Sequence, residues 1–383
     1  MGIFNNIHGL KDIGLIGLGN AVGSAISALF WIYLAALLGS ENYGELSYYI
    51  SISGLATSLS FIGGSMTITV LVAKKIKIES TIYFLSISAS IVSATVLYFA
   101  FTNIGISAYV IGAVIYNLSV CELLGRKFYK KYSIYFILQK IFFVILSLVF
   151  YYLIGPDGVL LGIGLSFLPF VERIYRGFKD VELNFQLLKD KWKFMTNNFL
   201  LDLSNILDHQ IDKLLIAPLF GFTILGNYYL AVQVLNMLAI IPEIVTKYTL
   251  PEDSSGINTK KIKLFTVFFS VILALIGIFV APQILPVLFP EYVESLELIP
   301  IISLSIIPTT ISTLYFTQFL ANEKSGYLVI TNIISTIILV SGIYFLGTLF
   351  GIIGLAYSLV ISDSARALIL FAINLNKKKK IIY

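Results

Sequence analysis

Over most of its length this chain strings apolar residues in runs of about twenty or more, with polar positions confined to short gaps between them. The runs are apolar on every side rather than along one stripe, as a helix surrounded by lipid or buried on all faces must be. At about 20 residues per crossing, the pattern predicts twelve helices near 13–38, 45–73, 80–101, 106–125, 133–154, 158–177, 194–220, 224–250, 262–289, 295–321, 325–346 and 350–374. One of them breaks the pattern. The seventh carries Asp202, Asp208, His209, Asp212 and Lys213. Each such charge at the centre of a lipid-facing helix opposes insertion by about 2.5–3.5 kcal/mol, while each Leu, Ile or Phe returns only about 0.3–0.6 kcal/mol. This helix must therefore face protein or a water-filled cavity. At about 100° per residue, these five side chains and Asn205 fall within an arc of roughly 140°, one polar stripe and an expected solute path.

The basic residues test the helix count independently, because short translocated loops are depleted of Lys and Arg. Apart from Lys140 and Lys213 inside helices, they fall at Lys11, Lys74 to Lys77, Arg126 to Lys131, Arg173 to Lys193, Lys247 to Lys263, Lys324 and from Arg366 onward, and every second loop has none. An even number of crossings with both ends on the cytoplasmic side follows. Tyr43, Tyr48, Tyr49, Tyr98, Tyr151, Tyr152, Tyr228 and Tyr229 fall near the outer ends, where amphipathic rings suit a membrane interface. Composition agrees: 58% hydrophobic residues, a mean hydropathy of +0.91 and 12% charged residues exclude an ordinary soluble domain. The net charge of +5 then reports topology and contact with anionic lipid, including the basic run Lys377 to Lys380, and not nucleic-acid binding. One cysteine, Cys121, allows no internal disulfide, and with two histidines no metal cluster is expected. The first apolar run is too long for a cleaved signal and reads as a retained helix.

The chain also echoes itself. LLGSENYGELSYY around the first turn and LFGFTILGNYY after the seventh helix place Gly39 and Gly44 opposite Gly221 and Gly226 at a constant offset of 182. A second echo pairs the segment starting at Gly158 with that starting at Gly351, an offset of 193. Two parallel six-helix lobes are expected: 1–177 and 194–376, joined by an interfacial linker over 178–193 and followed by a basic tail over 377–383. The halves differ in charge, since Asn20, Ile26, Ser27, Phe30 and Trp31 occupy the places of Asp202, Asp208, His209, Asp212 and Lys213.

IDKLLIAPLFGFTILGNYYLA, from Ile211 to Ala231, resembles the seventh-helix signature of Wzx-type polysaccharide flippases, and LLGSENYG, from Leu37 to Gly44, is similar to its first-helix counterpart. That family belongs to the multidrug/oligosaccharidyl-lipid/polysaccharide exporter superfamily, together with the multidrug and toxic-compound extruders. The resemblance implies an all-α polytopic fold of twelve helices in two lobes around a central cavity. It also implies alternating access, a prokaryotic plasma (inner) membrane, a lipid-linked oligosaccharide as substrate, and polysaccharide-assembly proteins as candidate partners. Two departures stand out. The chain is short for such flippases, and its first helix lacks the basic residues that they often present to a diphosphate.

For such a substrate Lys213, Lys140 and Arg366 are candidate cations for phosphate, and Gln233 and Asn236 candidate partners for sugar hydroxyls. Lys213 has a structural alternative, an ion pair either with Asp208 or Asp212 on its own helix or with a carboxylate on another helix, and snorkelling to the interface is the alternative for Lys140 and Lys247. Asp202, Asp208 and Asp212 are candidates for coupling to H+ or Na+, since three acids outnumber the one lysine beside them. His209 either relays protons or is simply hydrogen-bonded. Glu243, Lys247 and the pair Glu172 with Arg173 are candidate gate residues, as is the pair Asp363 with Arg366. An enzyme is not expected: the outer loops are too short for a catalytic domain, no GxxxxGK[ST] phosphate loop is present, and no cofactor is implied. The competing expectation is a cation-coupled small-molecule antiporter of the multidrug-extruder type.

Overall fold

The structure, a computed structural model, describes the backbone of residues 2–180, 183–254, 259–321 and 324–382; it leaves undescribed the side chains of 1–16, 18, 180–182, 247, 248, 250–252, 254–258, 321–323, 325 and 376–383. Among the described residues the secondary structure is helical throughout. Among the described residues nine stretches are long and apolar enough to cross a membrane, and a tenth is the pair Ser295–Ser303 and Ile306–Leu320, bent by 45° at its break. The first stretch, Gly19–Ser60, holds two of the expected crossings, because its helix turns at Gly39, where φ is 72° and ψ 170°. The remaining expected crossing is Trp192–Phe220, whose last eighteen residues contain Asp208, Asp212 and Lys213 and so fail a test of apolarity. The protein is an all-α, multi-pass membrane protein in which each of the twelve expected segments is helical.

The chain forms two compact units, Met1–Phe30 with Tyr49–Ile206 and Trp31–Tyr48 with Leu207–Tyr383. Neither is a contiguous half: the end of the first crossing and the start of the second belong to the second unit, and the seventh crossing is divided after Ile206. In the expected linker, Phe185–Asp190 is a short helix whose first turn is capped by Asn184, its side-chain oxygen accepting from the Leu187 N–H at 3.0 Å. Leu183, Phe185 and Trp192 around it are exposed, as on an interfacial helix. The side chains of the basic tail from Lys377 lie outside the described residues.

The first echo marks a real junction inside the second unit. Gly39 and Gly221 both have positive φ, 72° and 89°, which a residue without Cβ adopts at no steric cost. Their partners Gly44 and Gly226 permit reciprocal close contact: a Cβ on Gly44 would lie 1.9 Å from the Phe222 carbonyl oxygen, and one on Gly226 would lie 1.8 Å from that of Ser40. Since 40 and 44 correspond to 222 and 226, the two duplicated turns dock on each other through equivalent atoms, the self-complementary geometry of a local two-fold. Tyr43, Tyr229 and Tyr292 fill the space beside it, and the Tyr292 hydroxyl donates to the Ala35 carbonyl at 2.8 Å. Tyr43 and Tyr228 are fully buried there and are not interfacial anchors, whereas Tyr98 and Tyr152 are exposed as expected.

The second echo is real, but its register was displaced by three residues. Gly155 and Gly351 are the equivalent positive-φ turns, at 81° and 61°. A Cβ on Gly158 would lie 2.1 Å from the Phe150 oxygen, and one on Gly354 would lie 1.9 Å from the Leu346 oxygen. Each glycine lets its helix approach the residue eight positions earlier, so Gly158 corresponds to Gly354 and the offset is 196, not 193.

Candidate functional site: the charged seventh crossing

The polar stripe does not act as one surface. Asp202 lies in the first unit, where its Oδ2 accepts the Ser65 backbone N–H at 2.7 Å. Ser65 begins the helix Ser65–Ala73, whose preceding residue, Gly64, supplies no side-chain cap. A carboxylate from another helix thus takes the capping position at the positive end of that helix dipole. Asn198, one turn earlier, donates to the Thr67 hydroxyl at 3.1 Å and ties the same two helices together. The contact gives Asp202 a structural role that sequence periodicity could not reveal.

The other acids of the stripe belong to the second unit. Asp208, 7% exposed, is held by the Arg366 Nη2, by the Ser335 hydroxyl at 3.3 Å and by that of Thr336 at 3.4 Å. The Arg366 Nε also donates to Ser335 Oγ at 3.2 Å, and its Nη1 lies 3.9 Å from Asp363, itself buried and accepting from the Thr309 hydroxyl at 3.3 Å. Two carboxylates therefore share one guanidinium, with hydroxyls drawn from the helices Ile306–Ala321 and Ser325–Phe350. Arg366, expected to meet substrate, is occupied by Asp208. Asp363, expected only at a gate, supplies the second buried carboxylate of this cluster.

One turn further along, Asp212 and Lys213 pair side by side, Lys213 Nζ lying 2.9 and 3.2 Å from the two carboxylate oxygens. The ammonium also donates to the His209 carbonyl at 2.6 Å, and the Tyr228 hydroxyl donates to Asp212 Oδ2 at 2.9 Å. The Tyr229 ring lies under the ammonium at 6.0 Å, within cation–π range. Of the alternatives for Lys213, the ion pair on its own helix is the one formed. His209 itself is exposed. Besides Lys213, two distant donors serve the acids of the stripe, Arg366 for Asp208 and the Ser65 amide for Asp202.

The remaining candidates scatter. Gln233 is buried and Asn236 exposed, with the Asn236 amide 3.5 Å from Gln233 Oε1, and neither joins the charged clusters. Glu243 is exposed, and the side chain of Lys247 lies outside the described residues. Glu172 and Arg173 do not pair. Arg173, pointing inward, makes a bidentate bond to Glu122 at 2.7 and 3.2 Å, while Glu172 is exposed and binds Arg176 and the Tyr135 hydroxyl. Glu172 thus pairs one turn along its own helix, and Arg173 pairs with a residue of another helix. Lys140, in the first unit, sits half-buried with its ammonium 5.3 and 5.7 Å from the Phe136 and Phe143 rings. Gly23 makes room for the Phe136 ring, and among the described residues the buried Ser27 hydroxyl, one turn further along its helix, has no partner.

Over 97% of this chain and 95% of the other, the structure matches an inward-facing multidrug-resistance MATE family transporter of the MOP superfamily, with a TM-score of 0.69 at 15% identity. An outward-facing MATE transporter matches over 96% and 95% of the two chains, with a TM-score of 0.66 at 15% identity. A MOP superfamily transporter from Pyrococcus furiosus, described as having a binding pocket of reversed polarity, matches over 97% and 96% with a TM-score of 0.63 at 14% identity. No family model and no curated protein matches the sequence. At these identities the likeness establishes the fold.

Proposed function

We propose that this protein is an alternating-access exporter of the plasma membrane that exchanges a cation, H+ or Na+, for an amphipathic small molecule. The observation that carries this reading is the end-to-end likeness to MATE transporters captured facing inward and facing outward. The cluster of Asp208, Asp363 and Arg366 supports the coupling. Two buried carboxylates against one guanidinium leave one negative charge in excess, and in a low-dielectric bundle such a charge calls for a cation or a proton. Its occupancy would then bias the equilibrium between the two facing states, since a ligand shifts conformations only by its differential affinity for them. The flippase motif weighs less than its length suggests. Gly39, Gly44, Gly221 and Gly226 are accounted for by two positive-φ turns and a backbone contact, so those positions speak for fold and not for substrate.

The test is transport in everted vesicles. An imposed proton or sodium gradient should drive movement of a fluorescent organic cation such as ethidium, and Asp363→Asn should abolish it at normal protein levels. Indifference to both gradients would exclude the coupling.

A second reading, translocation of a lipid-linked oligosaccharide from the inner to the outer leaflet, is favoured by Lys140. This half-buried ammonium on the fifth crossing is held by aromatic faces and not by a carboxylate, and so is available to a phosphate. Loss of surface glycan with accumulation of its lipid-linked precursor on gene deletion would establish that reading over the first.

A further inference from the structure

The first unit contains a cavity of about 530 Å³ at the loop ends of its second and fourth crossings, lined by Lys75, Lys77, Arg126 and Lys127 together with Glu79 and the backbone at Gly125. Its size lies within the usual range for small-ligand pockets.

Two equivalent helix ends build its basic wall. After Ser65–Ala73, Lys75 N–H bonds to the Val72 carbonyl and Ile76 N–H to that of Leu71, both at 2.9 Å. After Ile104–Gly125, Lys127 N–H bonds to Leu124 and Phe128 N–H to Leu123, at 3.0 and 2.8 Å. Both are Schellman caps, whose left-handed position is ordinarily glycine. Here both positions are lysine, each with φ of 58°. A Cβ in that conformation costs about 1 kcal/mol, and the sequence accepts the cost twice around one cavity.

The charges are unevenly used. Arg126 is engaged by Glu122 at 2.8 Å and Glu79 at 3.4 Å. Among the described residues none of Lys75, Lys77 and Lys127 pairs with a carboxylate. Glu79, 5% exposed, uses Oε1 for Arg126, and among the described residues its buried Oε2 has no partner. Three free ammonium groups call for an anion, and an unused carboxylate oxygen beside them calls for a donor.

We propose that this pocket binds a phosphate that carries a hydrogen-bond donor close by, a hydroxyl or a primary ammonium, with the lysines on the phosphate and Glu79 Oε2 on the donor. The chemistry fits the headgroup of a phospholipid or a water-soluble phosphate ester. A purely topogenic role for these lysines would require neither the left-handed caps nor the orphaned carboxylate.

The test uses the purified full chain in detergent and native mass spectrometry, with phosphatidylglycerol as the donor-bearing lipid, phosphatidylcholine as the donor-free control and glycerol 3-phosphate as the soluble probe. Phosphatidylglycerol should be retained in preference to phosphatidylcholine. The Lys75→Gly/Lys127→Gly variant should weaken retention about 30-fold, taking about fivefold per lysine, while its thermal stability is unchanged or raised because glycine suits both caps. Glu79→Gln should remove the preference for phosphatidylglycerol. Displacement of the lipid by glycerol 3-phosphate at comparable concentration would identify a soluble ester as the ligand, and persistence of the lipid would identify a headgroup. Retention by the double glycine variant within twofold of wild type, equal retention of phosphatidylcholine, or binding of no probe would overturn the proposal.

Discussion

Removing Arg366 tests whether the Asp208 cluster is a dry ionic unit. In Arg366→Ala the Asp208 carboxylate keeps only two long hydroxyl bonds, 3.3 Å from Ser335 and 3.4 Å from Thr336, and Asp363 loses its neighbouring cation. Breaking a buried pair by deleting one partner costs about 3–5 kcal/mol, because an uncompensated charge remains. The second unit spans about 195 residues. At about 2.1 cal/mol/K of unfolding entropy per residue this corresponds to a fall in Tm of roughly 7–12 °C. Adding Asp208→Asn to Arg366→Ala removes one of the two stranded charges, that of Asp208, and should restore about half of the loss. Thermal unfolding in detergent, followed by far-UV circular dichroism and by size-exclusion chromatography, measures the four corners of the cycle. A loss below about 1 kcal/mol for Arg366→Ala, or no recovery in the double variant, would refute the dry-cluster argument: water would then already be solvating the carboxylate.

Gly44→Ala or Gly226→Ala should each cost about 3 kcal/mol, the upper end for overpacking, since the new methyl would meet a backbone carbonyl at 1.9 or 1.8 Å; Gly326→Ala, with nothing within 4 Å, should leave the folded yield unchanged. Asp202→Ala should lower stability by about 1 kcal/mol, as the loss of a helix cap does, with transport per folded molecule retained, whereas complete loss of transport at normal stability would restore Asp202 to the coupling machinery. Lys213→Ala should destabilise more than the double change of Lys213 and Asp212 to Met and Asn, because the single change strands a carboxylate that keeps only the Tyr228 hydroxyl. Equal losses, read by the same thermal assay, would show that the pair is not coupled.

The hydrophobic runs determined the crossings by themselves, because a bilayer admits a single solution, the closed helix, for each run of that length. The alternation of basic loops predicts which side each loop faces, but no contact in the structure bears on that orientation. The glycine echoes were legible for a related reason: a residue without Cβ is demanded wherever backbones touch, and at the outer turns the demand falls twice at one spacing. Even so, the second echo needed coordinates. Gly351 and Gly354 look alike in sequence, and only the approach of Gly354 to the Leu346 carbonyl identifies the partner of Gly158.

The charged residues were legible as a set and illegible as pairs. Sequence periodicity places Asp202, Asp208 and Asp212 on one arc of a helix, but it carries no information about what that arc meets. Tertiary structure supplied a helix N-terminus for Asp202 at residue 65, a guanidinium 158 positions away for Asp208, and a tyrosine on the next helix for Asp212. Ionic bonds depend on a few ångströms of separation, and long-range proximity is fixed only when the helices pack. The sequence alone therefore determined that this chain crosses a membrane many times with charge in one helix, and the packed fold decided which charges are bound to one another.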